Sequence, residues 1–444
     1  MGGLQIQETS DQNGLGSGAP LKLLILTNGL ESAFEFYNWC RYTGNESLLR
    51  DKVYPYMKEA VQFFLEYAKR GEDGKWHIYP ANARETWLKV QDAAPDLYGL
   101  RACLPILLRE SQRLGRDAEL IPVWQEFLDN LAAYPADPET GAYVPCVFRP
   151  DSPETGLPVV DRMYGKPQNV SHDATERKNS EVPECEIMYP WNLAGIDSPN
   201  YHQAKLTFTM RKSWPVGWDP SGIWAARLGL ADEALRALLI HGGNQRWPQG
   251  WWITPGGAYW GKAVPATPGF DSAGVNATTL TEMCLQSYDG RVRLWPAFPR
   301  EWSGLLRLRA LPGFMVTSEI TRGRVRYAVI ESERGEECRL INPWEGKLRV
   351  TSSQGKSWES GEREVTFATE RGGRYVIEPV DAPLREAVVA ELKPAVNQGP
   401  RWPGQVSPDQ AWRKEQPIMV GMAQDGHPLR VRAEAAAAAA AAQQ

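Results

Sequence analysis

Apolar residues recur at helical spacing over much of the first two thirds of the chain. Within residues 51–69 they return every three or four positions and form one stripe of an amphipathic helix, at Val53, Met57, Ala60, Val61, Phe64 and Ala68. The turn Tyr42-Thr43-Gly44-Asn45 is typical of a helix end. Such patterns predict eight helices, mostly in hairpins, at about residues 30–43, 51–69, 96–113, 117–134, 200–212, 218–229, 231–242 and 275–287.

Long connections rich in Pro, Gly and Trp separate these helices, at about residues 71–95, 135–199 and 243–274. Connections of this length are typical of functional loops, and we expect the helical scaffold to hold them around one pocket. After Gly290 the pattern changes to period two, as where Leu306, Leu308 and Ala310 alternate with arginines. That region predicts an antiparallel β-sandwich of about seven short strands, which ends near residue 380. The fold class is therefore α+β with several domains.

The same patterns divide the chain into four regions. A disordered or unmatched N-terminus precedes a helical catalytic domain, a C-terminal β-sandwich and a low-complexity tail, with bounds 1–27, 28–290, 291–385 and 386–444. The tail contains eight consecutive alanines, which favour helix by propensity but give no amphipathic face to bury. We expect the tail to be disordered.

Composition narrows the class of ligand. The chain has 18 Trp and 16 Tyr in 444 residues, and aromatic loops suit the partly apolar faces of sugar rings, although Trp also fills large cores. A net charge of -5 without a basic patch argues against nucleic acid. The sequence contains no uncharged apolar window of about 18 residues, so it predicts no membrane-spanning helix. The first twenty residues lack the features of a signal peptide, but the compartment stays open because the true start can lie further upstream.

Cysteine and histidine usage gives no sign of a metal or cofactor. The six cysteines are scattered without a Cys-x-x-Cys motif, and we expect buried thiols, with one disulfide as the alternative. The five histidines include no His-x-x-x-His pair, so we expect no zinc site. A Gly-rich phosphate loop with its strand and helix is also missing from the sequence, so no cofactor is predicted.

Two carboxylates in aromatic or glycine-rich loops are the candidates for catalysis. Glu85 lies in a loop beside Trp87, and Asp271 lies between two glycines just before the last predicted helix. Glycoside hydrolysis needs one protonated and one ionised carboxyl group. Trp87 could provide an apolar wall beside Glu85, and the glycines around Asp271 would let a substrate approach the backbone closely. The alternatives are ordinary: Glu85 could pair with Arg84 on the surface, and Asp271 could cap the last helix.

Three stretches of the sequence, at residues 54–64, 282–290 and 294–299, follow patterns that are shared with a known family. They resemble motifs of glycoside hydrolase family 95, the inverting α-L-fucosidases and α-L-galactosidases of the six-hairpin glycosidase type. The stretch Tyr54-Pro55-Tyr56-Met57-Lys58-Glu59-Ala60-Val61-Gln62-Phe63-Phe64 is similar to the pattern on a barrel helix of that family. Glu282-Met283-Cys284-Leu285-Gln286-Ser287-Tyr288-Asp289-Gly290 and Leu294-Trp295-Pro296-Ala297-Phe298-Pro299 look like its entry to the C-terminal sandwich. The resemblance covers about residues 28–345.

The resemblance implies an (α/α)₆ barrel with an N-terminal β-domain and a C-terminal β-sandwich. It implies that Glu85 is the general acid and that Asp271 is the general base. The two asparagines that polarise the family's base, and its His-rich loop, are absent, so fucose specificity does not follow. A closed barrel needs twelve helices, whereas this sequence predicts eight. We therefore expect a partial barrel that lacks its N-terminal part and exposes apolar faces on its first and last helices.

The leading hypothesis is an inverting glycoside hydrolase that acts on an oligo- or polysaccharide, either an α-L-fucoside or a related sugar. Glu85 would protonate the leaving oxygen while Asp271 deprotonates a water, with their carboxyl groups about 6.5–9.5 Å apart. Asp96 and Glu184 are candidates to hydrogen-bond substrate hydroxyls, although Asp96 could instead cap its helix. Four tryptophans are candidates to stack on sugar rings, namely Trp87, Trp218, Trp251 and Trp252.

Two other functions compete with hydrolysis. The first is a carbohydrate-binding relative that no longer cleaves its ligand, which the altered motifs favour. The second is a polysaccharide lyase, in which Tyr259 and Arg246 could act as base and as carboxylate-neutralising group. The sequence leaves the sugar, the linkage and the oligomeric state open.

Overall fold

Helices occupy the first part of the structure and strands the second. A computed structural model of the chain describes residues 4, 24–84, 87–147, 181–211, 219–244, 258–259, 262–263 and 270–383. Within these residues lie eight helices of seven or more residues, α1 Asn28–Thr43, α2 Tyr54–Tyr67, α3 Ala94–Leu114, α4 Ile121–Asp129, α5 Tyr201–Met210, α6 Ser221–Arg227, α7 Ala231–Asn244 and α8 Phe270–Cys284.

Each of these helices corresponds to one of the eight that the apolar spacing predicts. Helix α1 ends at Gly44, which has φ 70° and donates its N–H to the carbonyl of Cys40, as a glycine helix stop does. The helix predicted at 117–134 is shorter than expected. Asp117 is left-handed, with φ 52°, and a 3₁₀ turn, Ala118–Leu120, precedes α4. A π-helical segment, Leu49–Val53, leads directly into α2.

Helices α1 and α3 pack side by side and run in the same direction. Near their beginnings, the Thr27 hydroxyl donates to the carbonyl of Pro95 over 3.3 Å. Near their ends, the Tyr37 hydroxyl lies 3.4 Å from a carboxylate oxygen of Glu110. Because residue numbers rise together along both helices, α1 and α3 begin at the same end of the molecule.

Helices α6 and α8 are also parallel. Gly222 in α6 lies against Thr279 in α8, and further along Arg227 forms an ion pair with Glu282. The C-terminal ends of α1 and α8 meet as well, since Tyr42 hydrogen-bonds with Ser287, just beyond α8. The four helices α1, α3, α6 and α8 therefore begin toward a common end, and the segments before α3 and α8 lead into that end.

The C-terminal region is a two-sheet antiparallel structure. Its bounds are β9 Gly304–Ala310, β10 Phe314–Thr321, β11 Arg324–Ser332, β12 Cys338–Ile341, β13 Leu348–Ser352, β14 Ser357–Ser360, β15 Glu364–Phe367 and β16 Arg374–Pro379. Six of these form one sheet in the order β14-β13-β16-β11-β10-β9, and β12 pairs with β15. Both sheets contribute to one apolar core, for example Val316 and Ile330 from the large sheet and Leu340 from the small one. The sequence predicts a sandwich of about seven strands, and the structure forms it with eight.

Short two-stranded sheets accompany the helices. Their bounds are β1 Lys69–Arg70, β2 Trp76–His77, β3 Ala81–Ala83, β4 Trp87–Val90, β5 Ala258–Tyr259, β6 Lys262–Ala263, β7 Leu285–Gln286 and β8 Arg293–Leu294. They pair as β1-β2, β3-β4, β5-β6 and β7-β8. The hairpin of β3 and β4 precedes α3 and so lies at the common end described above.

Burial follows most of the predicted pattern. All six cysteines are buried thiols. Large apolar side chains remain exposed on the first and last helices, with Phe36 54% and Trp39 49% exposed on α1 and Leu280 43% exposed on α8. These are the two helices on which the sequence predicts an exposed apolar face. None of the helices in the described ranges combines the length and apolar content that a bilayer crossing requires.

Candidate active site

The hairpin of β3 and β4 brings the loop of the predicted general acid to the beginning of α3. Ala83 pairs with Trp87 across the hairpin. Asn82 accepts a hydrogen bond from the backbone N–H of Lys89 at 2.9 Å, which braces the two strands. Glu85 itself lies outside the described residues, whereas its neighbour Arg84 lies within them.

Arg84 is held by carboxylates from two other parts of the chain. Its Nε and Nη2 donate to the two carboxylate oxygens of Glu186 at 2.7 Å each, and Nη2 also donates to Glu31 at 2.9 Å. Glu31 belongs to the first turn of α1, and Glu186 follows a 3₁₀ turn, Pro183–Cys185. Burial raises the pKa of Glu186; Arg84 opposes this shift and Glu31 adds to it. Glu31 and Glu186 are not predicted from the sequence, because nothing in their spacing connects them with Arg84.

Asp96 is a buried carboxyl group at the same end. It is 1% exposed, and neither of its carboxylate oxygens has a hydrogen-bond partner among the described residues. Burial raises its pKa well above the ordinary value; Arg84 opposes the shift, and Glu186 and Asp92 add to it. Helix α3 begins at Ala94 with Ala93 as its N-cap, so the alternative that Asp96 caps this helix is wrong. A buried group of this kind needs an explanation, and a bound hydroxyl is one.

Asp92 anchors the segment between the hairpin and α3. One of its carboxylate oxygens accepts the backbone N–H of Ile78 at 2.9 Å, and the other lies 2.6 Å from Nδ1 of His77. Burial acts to lower the pKa of His77, but hydrogen bonds and charges of Asp92 and Asp73 outweigh it and raise that pKa. The contact between His77 and Asp92 therefore helps to hold the base of the hairpin in place.

The predicted general base lies on the helix whose beginning faces the same end. Asp271 is the second residue of α8, and the structure describes it by its backbone. Because Asp271 lies inside the first turn of α8, it does not occupy the N-cap position that its alternative role as a helix cap requires. Because Glu85 and the side chain of Asp271 lie outside the described part, the predicted spacing of their carboxyl groups stays a prediction. What the fold shows is that the hairpin of β3 and β4 precedes α3 and that Asp271 stands in the first turn of α8.

A second polar cluster lies near the other end of α6 and α8. Arg227 is buried and donates to both carboxylate oxygens of Glu282 at 2.6 and 2.9 Å and to Oδ1 of Asn192 at 2.6 Å. Glu282 follows Asp271 by eleven residues on the same helix, which is about 16 Å along the axis. This cluster is therefore distinct from the end that the predicted base occupies.

Glu35 connects the two clusters electrostatically. It follows Glu31 by one helical turn on α1 and is exposed to water at one side. Protein surrounds the rest of its carboxyl group, and this burial, together with the charge of Glu31, raises its pKa to about 7 against the opposing charge of Arg227. No periodic signal in the sequence marks this residue, because helix patterning places a charged side chain on a solvent face.

Of the remaining predicted binding residues, two are buried and the others lie outside the described residues. Trp87 is fully buried in the helical core, so its ring offers no surface to a sugar in this structure. Glu184 is also fully buried, and its backbone carbonyl accepts the Tyr98 hydroxyl at 3.3 Å. Trp218, Trp251 and Trp252 lie outside the described residues, as does Arg246, and Tyr259 is described only as part of β5. In the described ranges, His, Cys, Asp and Glu form no group of three that could hold a metal ion.

The structure has helices with acidic side chains at one end, followed by an antiparallel sandwich. This is the type of architecture that the resemblance to glycoside hydrolases implies. Residues 286–377 match the family model "Glycoside hydrolase family 95, C-terminal domain", which confirms the resemblance over the sandwich. No curated protein matches the chain in sequence.

Two solved structures show a distant likeness. One is a protein from the human microbiome described as a kojibiose phosphorylase, with 10% identity, a TM-score of 0.44 and coverage of 83% of this chain and 53% of that one. The other is the α-L-rhamnosidase of Streptomyces avermitilis in complex with L-rhamnose, with 14% identity, a TM-score of 0.37 and coverage of 76% and 32%. The chain thus spans about half of the first protein and a third of the second.

Proposed function

We propose that this chain is a glycoside hydrolase that inverts the anomeric centre, with Glu85 as general acid and Asp271 as general base. The observation that supports the proposal is the shared direction of the helices, because the hairpin of β3 and β4 leads into the beginning of α3 and Asp271 stands in the first turn of α8. Glu31, Glu186 and Asp96 give this end an acidic, partly buried environment. Such an environment favours a protonated carboxyl group, which a general acid requires.

The substrate that fits is an oligo- or polysaccharide, and an α-L-fucoside or a related sugar is the first class to test. Asp96 would bind a sugar hydroxyl, because its buried carboxyl group has no partner among the described residues. Glu184 is a further candidate from the neighbouring segment. The tryptophans at 218, 251 and 252 stay candidates for stacking, whereas the burial of Trp87 favours a role in packing.

The test separates the two catalytic roles by the leaving group. We expect Glu85→Gln to lose about 10²–10⁴ in kcat on an alkyl glycoside, with a much smaller loss on a dinitrophenyl glycoside whose leaving group needs no proton. Asp271→Asn should lose as much on both substrates, because water must be activated in either case. Proton NMR of the first product should show the anomer opposite to that of the substrate. A product with the same anomer, or variants that do not differ between the substrates, would contradict the assignment.

A carbohydrate-binding relative is the second candidate, because the two asparagines of the family pattern are absent from this sequence. In that case the wild-type chain would bind the saccharide without turnover. Glu85→Gln would then change the affinity measured by calorimetry and nothing else. Slow release of sugar by the wild-type chain, abolished in Asp271→Asn, would rule this candidate out.

A further inference from the structure

His77 lies between two carboxylates that belong to different segments of the chain. Its Nδ1 lies 2.6 Å from a carboxylate oxygen of Asp92, and its Nε2 lies 3.2 and 3.3 Å from the two oxygens of Asp73. Asp73 stands in the turn that joins β1 to β2, whereas Asp92 stands between β4 and α3. The side chain of His77 therefore connects the β1–β2 turn with the segment that leads into α3.

Both contacts are satisfied only when the imidazole ring is charged. An ionised carboxylate only accepts hydrogen bonds, and a neutral imidazole donates only one, so a carboxylate at each ring nitrogen requires two protons on the ring. The other groups that bind these carboxylates are also donors. The backbone N–H of Lys75 donates to Asp73 at 3.0 Å. The backbone N–H of Ile78 and the amide of Gln91 donate to Asp92 at 2.9 and 3.2 Å.

The charges around the ring favour its protonated form. Among the described residues, the carboxylates on its two sides carry the charges that contact it. The nearby cations bind α4 instead, since Arg70 forms an ion pair with Glu126 at 3.1 Å and Nζ of Lys75 donates to the carbonyl of Asp129 at 3.4 Å. Burial opposes the charge of His77, but the two carboxylates outweigh it and raise the pKa of the ring above its ordinary value of 6.5.

The two carboxylates differ in their exposure to water. The side chain of Asp92 is 2% exposed and that of Asp73 is 57% exposed. Loss of a donor costs more at a buried carboxylate than at an exposed one. When the ring loses a proton, its remaining N–H should therefore stay with Asp92, and the contact with Asp73 should be lost.

We infer that Asp73, His77 and Asp92 form a pH-sensitive latch, which fastens the β1–β2 turn to the segment before α3 while the ring is charged and releases the turn when the ring is neutral. Because the folded chain holds the proton more tightly, the latch is fully closed below about pH 6.5 and opens as pH rises through the pKa of the folded state. Asp96 lies in the first turn of α3, so the latch adjoins the candidate sugar-binding end. The inference does not depend on the proposed function.

The charge of the ring can be measured directly. The sequence contains five histidines, so ¹⁵N labelling of histidine in the full chain gives few signals, and those missing in His77→Gln belong to His77. We expect both ring nitrogens to be protonated at low pH, with a midpoint above 6.5. Asp73→Asn should lower this midpoint, because one of the two neighbouring charges is removed. A midpoint below 6.5 in the wild type would overturn the inference.

The release of the turn is a separate measurement. Hydrogen–deuterium exchange over residues 69–77 would be followed across pH and corrected for the intrinsic pH dependence of exchange. We expect exchange in the wild type to rise by about threefold or more through the midpoint of His77, and His77→Gln to lack this step. Asp73→Asn should lack it as well, and it serves alone if His77→Gln does not fold, because its side chain is mostly exposed.

The matched control is His202→Gln. His202 lies on the exposed side of α5 and packs its ring against that of Tyr201, away from the β1–β2 turn. The step in exchange at residues 69–77 should persist in this variant. Exchange that stays constant through the midpoint of His77, or a step that persists in Asp73→Asn, would overturn the latch.

Discussion

The helical region and the sandwich bury different kinds of polar residue. Among the described residues, the helical region buries charged side chains, namely Asp92, Asp96, Glu110, Asp137, Glu184, Glu186, Asp219 and Arg227. Arg293 lies at the junction of the two regions, and the strands beyond it bury neutral hydroxyls, at Thr317, Ser318 and Ser332. The ion pairs of the sandwich lie on its exposed surface, as between Arg307 and Glu331.

This difference separates a region that contains buried ionisable groups from one whose core is apolar. A buried charge costs several kcal/mol unless partners compensate it, so stability alone does not favour it. The sandwich avoids this cost with an apolar core shared by its two sheets. The helical region accepts this cost at both ends of its helices, at Asp96 and Glu186 near the candidate site and at Glu110 and Arg227 near the opposite end. The contrast therefore distinguishes the two regions of the molecule, but it does not by itself place the site within the helical region.

The largest effect should come from the removal of one partner of a buried pair. Arg227→Met leaves Glu282 and Asn192 without their donor, and we expect a loss of about 3–5 kcal/mol in the free energy of unfolding. Urea unfolding followed by Trp fluorescence would measure it. The double variant Arg227→Met/Glu282→Leu should recover most of the loss, because no uncompensated charge remains. A loss below about 1 kcal/mol in the single variant would remove the contrast between the regions.

The sequence predicts elements well where one face is buried repeatedly. Each predicted helix from about residue 30 to 287 has its counterpart, and the alternation of Leu306, Leu308 and Ala310 with arginines matches a strand with one buried face. Periodicity is informative here because burial repeats along the element. The predicted helix at 117–134 was too long, since Asp117 turns the chain in a left-handed conformation that no apolar pattern reveals.

The charged contacts could not be predicted in this way. Arg84 and Glu186 are 102 residues apart, and Arg227 and Glu282 are 55 apart. A single ion pair between distant segments leaves no repeat in the sequence, so it emerges only when the helices are packed. The carboxylates at Glu85 and Asp271 were found instead through family motifs, and their roles stay predictions.

A smaller effect with a distinct pH dependence is expected at Asp96. Because burial raises its pKa, the folded chain keeps a proton that the unfolded chain releases above the ordinary pKa of aspartate, about 4. The free energy of unfolding of the wild type should therefore fall as pH rises above about 4, and Asp96→Asn should lack that loss. Between about pH 5 and pH 8 we expect the variant to gain about 1–3 kcal/mol relative to the wild type.

Urea midpoints across that range would measure the gain at Asp96. Asp137→Asn is the matched control, because the backbone N–H of Glu139 and the hydroxyl of Thr140 donate to the Asp137 carboxylate at 2.9 Å. Its replacement should lower stability, because the two bonds go to different oxygens of Asp137 and an asparagine side chain keeps only one of them. An Asp96→Asn variant that loses stability increasingly as pH rises would show that the folded chain favours the ionised carboxylate, contrary to the proposed environment.

The smallest effect on the free energy of unfolding should come from the exposed ion pairs of the sandwich. These pairs are the opposite extreme from the buried pairs of the helical region. Arg307 and Glu331 are 2.8 Å apart, but their side chains are 49% and 39% exposed, so water and salt screen the pair. A double-mutant cycle with Arg307→Met and Glu331→Gln should give a coupling of about 0.2–1 kcal/mol that shrinks as salt is added. A salt-independent coupling above about 2 kcal/mol would place a pair of buried character in the sandwich. The confinement of costly buried charges to the helical region would then no longer hold.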